Sequence, residues 1–499
     1  MTSARPSAPP NPSGAVLAFL CLGQFMVFLD VSIVNLALPS IREALGMSEV
    51  SQEYIVTAYA TVIGGFLLLA GRLGDTFGRR RLLRAGFVVF ALASLAAGLA
   101  VDGPMLIAAR AVQGLGSALI APSALALLTS SFPEGPQRNK ALGVWGSLAG
   151  IASIVGVILG GLLADGPGWE WIFYLNVPLG LGAALAAPRI VPDSRGTERE
   201  RRRPFDTFGA LTLTSGLLLL IFTLGEATRI GWATGRTLGS LAGVAVLLTS
   251  FVVIESRAAA PIMPLAFVRR KTIRIANISA VLVFGTFSAL FFFASIFMQQ
   301  VYGYSPLRAG FAYLPLAVAV AAGAAVASAL LAKPAARTVL MAGLATTVTG
   351  LLLMWRAPAG GAYAADLLAP FVLLGLGCGM VYVTLQIAAF TGLSEAEAGT
   401  GAGLINTSQE AGGALGLAVI TTVAYGGLSA DLAAAGGDPE LVVAAQEAAN
   451  HDAFLAAAAG GSAALAVAAL LMPRGRRTGP QPTTGDGKAD EPERFDLTH

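Results

Sequence analysis

Apolar residues run along this chain in long, nearly unbroken blocks, and short polar segments between them collect the charges and prolines. The blocks are too continuous for strands and lack the alternation, about ten residues at a time, of a membrane barrel. At about 1.5 Å of rise per residue, roughly 20 apolar residues cross the hydrocarbon core as a helix. Read this way, the pattern predicts an all-α polytopic membrane protein with fourteen spans. They are 14–38, 51–73, 82–101, 104–130, 140–164, 171–191, 206–228 and 236–256, then 273–301, 308–332, 337–356, 364–390, 399–428 and 453–472. The first block is too long for the apolar region of a signal peptide and is read as a retained helix.

Placing alternate connections on opposite sides of the bilayer tests the count, because cytoplasmic loops hold Lys and Arg. With the N-terminus inside, Arg42, Arg229, Arg236, Arg308 and Arg356 face out and Arg110 lies within a span, while the other 26 of the 32 basic residues fall inside. Both termini are therefore expected in the cytoplasm, with the chain multi-pass in the inner (cytoplasmic) cell membrane. The longest inside connections follow spans 6 and 8. They divide the chain into a disordered tail (1–13), a six-helix bundle (14–191), a loop (192–205), an inserted helix pair (206–256), a loop (257–272), a second six-helix bundle (273–472) and a disordered tail (473–499). Two such bundles facing one another across a central cavity are a common transporter plan, with the substrate near the midplane. The run Arg199 to Arg203 is read as an orientation signal at the membrane surface.

Composition excludes several other classes. Apolar residues make up 55% and charged residues 12%, against about 25% charged in a soluble domain. A net charge of +3, with scattered basic residues, does not fit a nucleic-acid binder. Cys21 and Cys378 sit inside apolar blocks, and His451 and His499 lie outside the spans, so no metal or cofactor site is expected. There is no G-x-x-x-x-G-K-[ST] and no soluble segment long enough to fold around one, which excludes a nucleotide-driven pump.

With so little charge, the ionisable residues inside spans are the candidates for chemistry, since burying a charge in lipid is costly. They are Asp30, Arg110 and Glu410. Asp30 lies about 12 Å below the outer end of span 1 and Arg110 about 9 Å below that of span 4, so a pair between the two helices is feasible. Such a pair either titrates as a cavity opens, carrying protons, or permanently pins two helices. Glu410 lies about 16 Å into span 13 within a polar stripe that includes Asn406. It would attract a cationic substrate, carry a second proton, or be satisfied by an amide of another helix. Gln24, Asn35, Gln113, Asn277, Gln299, Gln386 and Asn406 either orient a substrate or join helices. Phe284, Phe287 and Phe291 share a helical face, which lines an aromatic site or faces lipid or core.

Short motifs add a resemblance. Between spans 2 and 3 the chain reads Gly71-Arg-Leu-Gly-Asp75-Thr-Phe-Gly78-Arg79-Arg80-Arg81, which resembles the loop signature G-x-L-x-D-x-x-G-R-R of the major facilitator superfamily. Three more stretches are similar to its fourteen-helix drug/proton antiporter family. These are Leu29-Asp30 through Asn35 to Pro39, Trp169-Glu170-Trp171 through Asn176 to Gly180, and Gln299-Gln300 through Tyr304 to Gly310. Arg110-Ala-Val-Gln113-Gly114-Leu-Gly116 resembles the superfamily's span 4 motif, associated with proton coupling.

Two positions depart from the family pattern. Glu170 replaces the Arg of Trp-Arg-Trp, and Val157 replaces the Pro of the span 5 signature G-P-x-x-G-G. Gly156, Gly160 and Gly161 still present a small face for close helix packing, while a helix without that Pro should kink less. The resemblance, from about residue 16 to about 470, implies a major facilitator fold and proton-coupled export of amphipathic or cationic small molecules, drugs or antibiotics, by alternating access. Its partners would be substrate, protons and the bilayer, and the chain is expected to act as a monomer. Dedicated export of a natural product, lipid or siderophore, or even import, would use the same fold. A membrane-embedded sensor or enzyme would need a catalytic cluster or a soluble domain, and the sequence offers neither.

Overall fold

In lipid a backbone must satisfy its own hydrogen bonds, and the apolar blocks of this chain do so as helices. The computed structural model describes residues 14–192, 206–258, 261–263, 265–331, 336–391, 393, 397–436 and 438–471. The predicted tails at 1–13 and 473–499 and the loop residues 193–205 lie outside the described residues.

Among the described residues there are fourteen long helices and no strand. They are α1 (Gly14–Ala44), α2 (Glu49–Phe77), α3 (Arg79–Gly98), α4 (Gly103–Ser131) and α5 (Pro136–Asp165), then α6 (Trp171–Ile190), α7 (Thr207–Ile230) and α8 (Gly235–Arg257). The second set is α9 (Lys271–Val301) and α10 (Arg308–Leu330), α11 (Ala336–Met354), α12 (Tyr363–Phe390), α13 (Ala398–Tyr425) and α14 (Pro439–Leu471). Thirteen of these are long and apolar enough to cross a membrane. The exception is α13, whose apolar run is broken by Asn406, Thr407, Ser408, Gln409 and Glu410. The span predicted at 453–472 begins earlier, at Pro439, because Ala, Glu and Gln favour helix even where they are too polar to define a span.

Packing follows small residues. Helix α4 lies against α2 and α3, α1 against α5, and α3 against α6; α9 lies against α13 and α14, and α12 against α10 and α11. Between these sets, α2 runs along α13 and α5 runs along α10. The α9–α13 contact is backbone on backbone: a Cβ added to Gly416 would overlap the Cα of Gly285, so only glycine permits the approach. Helix α7 packs on both α2 and α13, and α8 packs on α7. The turns 77–79 and 131–136 and the first residues of α13 share one end of the molecule, called here the basic end after Arg79, Arg80 and Arg81.

Candidate functional site

Asp30 and Arg110 meet inside the membrane-spanning part of the fold. Arg110 donates through Nη1 to Asp30 Oδ2 at 2.5 Å, and the two side chains are 1% and 0% exposed respectively. The same Nη1 donates to Gln113 Oε1 at 2.6 Å, and Arg110 Nε donates to the Ile55 carbonyl of α2. The Gln113 amide donates to Asp30 Oδ1 at 2.7 Å and to Ser94 of α3 at 2.9 Å. Asn176 of α6 donates to Asp30 Oδ1 at 3.3 Å. One carboxylate thus gathers donors from α4 and α6, with α2 and α3 one bond further out. Gln113 is therefore a buried member of this network and not a lining residue of an open cavity.

Among the described residues the side chains hydrogen-bonded to Asp30, those of Arg110, Gln113 and Asn176, all donate to it. The guanidinium also lies over the Tyr59 ring of α2, with Cζ 4.2 Å from the centroid, and the Tyr59 hydroxyl is 2.7 Å from Ser117 Oγ.

Glu410 is exposed halfway along α13 and faces other helices. Its Cβ lies 3.4 Å from where a Cβ on Gly64 of α2 would stand. Near it the predicted aromatic stripe divides. Phe284 packs on Phe287 and on Tyr382, each with ring centroids 5.8 Å apart. Phe291 is 41% exposed and lies beside Tyr313 of α10 instead, with ring centroids 6.0 Å apart. Gln24 is buried on α1, Asn406 is half-buried on α13, and each has a side-chain atom without a hydrogen-bond partner (Oε1 and Nδ2). Asn35 is exposed. Asn277 accepts from Ser408 and so joins α9 to α13.

The turn motif closes the basic end. Gly78 has a φ of 102°, a left-handed backbone that favours glycine and lets α2 turn directly into α3. Asp75 takes two bonds from Arg79, at 3.0 and 2.9 Å, and then reaches across to α13, accepting from the Gly399 and Thr400 N–H groups at 3.1 and 2.8 Å. Gly71 leaves room for this, since a Cβ there would overlap the Gly399 carbonyl. Arg80 donates to the Val191 carbonyl after α6. A second tie joins α5 to α10: Asn139 donates to the Leu331 carbonyl at 3.1 Å, and Ser328 donates to the Asn139 carbonyl at 3.0 Å. On α5, Gly156 packs against Ser32 of α1, Gly160 is buried, and Gly161 is half-buried.

At the opposite end α7 is fastened to both neighbours. Glu226 accepts from Tyr54 of α2 at 3.0 Å and from Arg229 at 2.8 Å, and Arg229 pairs with Glu53. Trp232 donates to Thr422 of α13 at 2.7 Å. Deeper in, Leu218 and Ile221 occupy the notch that Gly65 and Gly64 leave on α2.

Sequence reasoning does not single out Tyr59, Ser94 or Asn176 of this site. Asn176 carries a signal, since it stands within the Trp169 to Gly180 motif; Tyr59 and Ser94 look like ordinary residues of apolar helices. Likewise Asn139 and Thr400 make their bonds between helices only with partners far along the chain.

Comparison with known proteins agrees with this architecture. Residues 20–417 match the family described as Major Facilitator Superfamily. The puromycin resistance protein pur8 of Streptomyces alboniger is 36% identical over 427 residues, covering 84% of this chain and 83% of that protein. The cephamycin export protein CmcT of Amycolatopsis lactamdurans is 36% identical over 415 residues, covering 83% and 85%. The tetracenomycin C resistance and export protein of Streptomyces glaucescens is 35% identical over 404 residues, covering 81% and 74%. Among solved structures, the human organic anion transporter MFSD10 superposes with a TM-score of 0.65 at 16% identity, covering 92% of this chain and 100% of that one, a likeness of fold alone.

Proposed function

This chain belongs to the Major Facilitator Superfamily and is a multi-pass membrane transporter, not an enzyme, and from that premise we propose that it exports antibiotics or related amphipathic or cationic small molecules in exchange for protons. The observation that carries the proton half of this reading is the buried Asp30 with its shell of donors. A proton taken there would weaken the bonds that this carboxyl accepts from α4 and α6, which links proton binding to a rearrangement of α1 against those helices.

The transport cycle follows from the seams. Helices α1–α6 and α9–α14 form two bundles, with α7 and α8 inserted beside the α2–α13 seam. The basic end faces the cytoplasm, by its Arg79–Arg81 run, in the inner membrane. In the present arrangement Asp75–Thr400 and Asn139–Leu331 join the bundles at that end. Exposing the centre to the cytoplasm breaks both ties, and a proton taken by Asp30 from outside accompanies that opening. Glu410 on α13, beside Gly64 of α2, gives the cavity an acid for a cationic substrate. The names of the relatives favour an antibiotic or similar natural product as cargo.

Flux in reconstituted vesicles tests the reading. With puromycin and tetracenomycin C as probes, an imposed pH gradient should drive uptake into inside-out vesicles, and Asp30→Asn should remove that dependence. Uptake unaffected by collapsing the gradient would refute proton exchange.

A further inference from the structure

The inserted helix α7 reaches Glu410. A Cβ on Gly64 of α2 would overlap Ile221 Cδ1 of α7 and stand 3.4 Å from Glu410 Cβ of α13. One point on α2 thus has both the tip of an apolar side chain and the root of an acid in contact range. Ile221 is held in this place. On the next residue of α2, a Cβ on Gly65 would stand 2.6 Å from Leu218 Cγ and 3.3 Å from the Leu218 backbone nitrogen, so α7 lies on the glycine pair at backbone distance. Beyond it, Glu226 accepts from Tyr54 of α2, and Trp232, just past the end of α7, donates to Thr422 of α13. The helix is therefore tied to both sides of the seam. Ile221 is 7% exposed and packed, whereas Glu410 is exposed.

We propose that Ile221 is a specificity-determining residue: it limits the size of the group that a bound cation can place beside Glu410. An acid attracts any cation that comes near, because Coulomb attraction depends on distance and not on shape. Shape is read by the apolar atoms around the charge. Ile221 suits that task. Its branched side chain is stiff about χ1, and it is seated against a glycine whose backbone has no side chain to yield. The ligands that fit are cations with a compact group next to the charge and their larger apolar parts directed elsewhere. Removing the tip of Ile221 vacates space within contact range of the acid, and bulkier cations should then enter. Helix α7 in this way shapes the site as well as filling the seam. The inference rests on the reading of Glu410 as the acid for a cationic substrate.

The experiment is equilibrium binding of two cations, methyltriphenylphosphonium and tetraphenylphosphonium, to the full-length protein in lipid nanodiscs. They carry the same charge and differ in one group beside it. Ile221→Val removes Cδ1, the atom at the Gly64 notch, and Ile221→Ala removes more. Both should shift the ratio of the two Kd values in favour of tetraphenylphosphonium, Ile221→Ala by about tenfold. Leu218→Ala, which empties the adjoining notch at Gly65, should leave the ratio unchanged. An unchanged ratio in the Ile221 variants, or an equal shift in Leu218→Ala, overturns the proposal. If Ile221→Ala does not assemble, Ile221→Val decides alone. Glu410→Gln separates this inference from the reading it rests on. If that variant weakens both cations while the Ile221 variants leave the ratio unchanged, the size limit fails and the acid stands. If it weakens neither, the cation reading of Glu410 fails, and the size limit with it.

Discussion

The Asp75 carboxylate, on the last turn of α2, accepts from the Thr400 backbone N–H on the first turn of α13 at 2.8 Å, so one helix is capped by a residue of another. The first N–H groups of a helix have no partner within it, and an acid satisfies both their hydrogen bonding and the positive end of the helix dipole. This bond is also the tie across the α2–α13 seam, which makes the cap a conformational contact.

Asp75→Asn should weaken the closed basic end by about 1–3 kcal/mol, the cost of leaving buried donors poorly paired. Electron–electron distance measurements between spin labels on exposed Thr391 and Phe77 should show a longer-distance population growing in the variant. An unchanged distribution would remove Asp75 from the closure.

The Asp30–Arg110 pair should behave asymmetrically under substitution. Arg110→Met strands a buried carboxylate and should cost about 3–5 kcal/mol, whereas adding Asp30→Asn should restore much of that stability. Thermal unfolding in detergent reads both stability effects, and vesicle flux reads the coupling. The double variant should be folded and uncoupled. A double variant less stable than Arg110→Met alone would contradict the pairing argument.

Glu410→Gln separates its two candidate duties. As a substrate anchor, its loss should reduce export of a cation such as ethidium roughly tenfold or more, a difference of about 1.4 kcal/mol, while sparing an uncharged cargo. As a second proton carrier, its loss should reduce both. Parallel efflux assays on the two probes distinguish these outcomes.

Glycine positions should divide by what surrounds them. Gly416→Ala drives a methyl group into the Gly285 backbone, which has no side chain to yield, and should cost about 1–3 kcal/mol or more. Gly225→Ala meets nothing within 4 Å and should be close to neutral. Yield of monodisperse protein and melting temperature check both.

Glu226→Ala removes the acceptor shared by Tyr54 and Arg229 and should loosen α7 from α2 at about 1–3 kcal/mol. Hydrogen exchange should rise at the 226–236 end of α7 and α8 and stay unchanged in α11. Uniform protection in the variant would show that the notch at Gly64 and Gly65 holds α7 without the clasp.

The sequence by itself determined the helices, because a backbone in lipid has no partner but itself, and a run of apolar residues long enough to cross has few other ways to fold. It also singled out Asp30, Arg110 and Glu410, since an ionisable residue in such a run is costly wherever it faces. Periodicity sets the depth of a residue and its face about its own helix axis, and that sufficed to bring Asp30 and Arg110 to one level. It does not set how the helices are turned toward one another. That rotation is decided where backbones touch, as at Gly285 and Gly416, between segments more than a hundred residues apart. Only the tertiary structure therefore put Gln113 and Asn176 on Asp30, parted Phe291 from Phe287, and laid the Arg110 guanidinium over the Tyr59 ring.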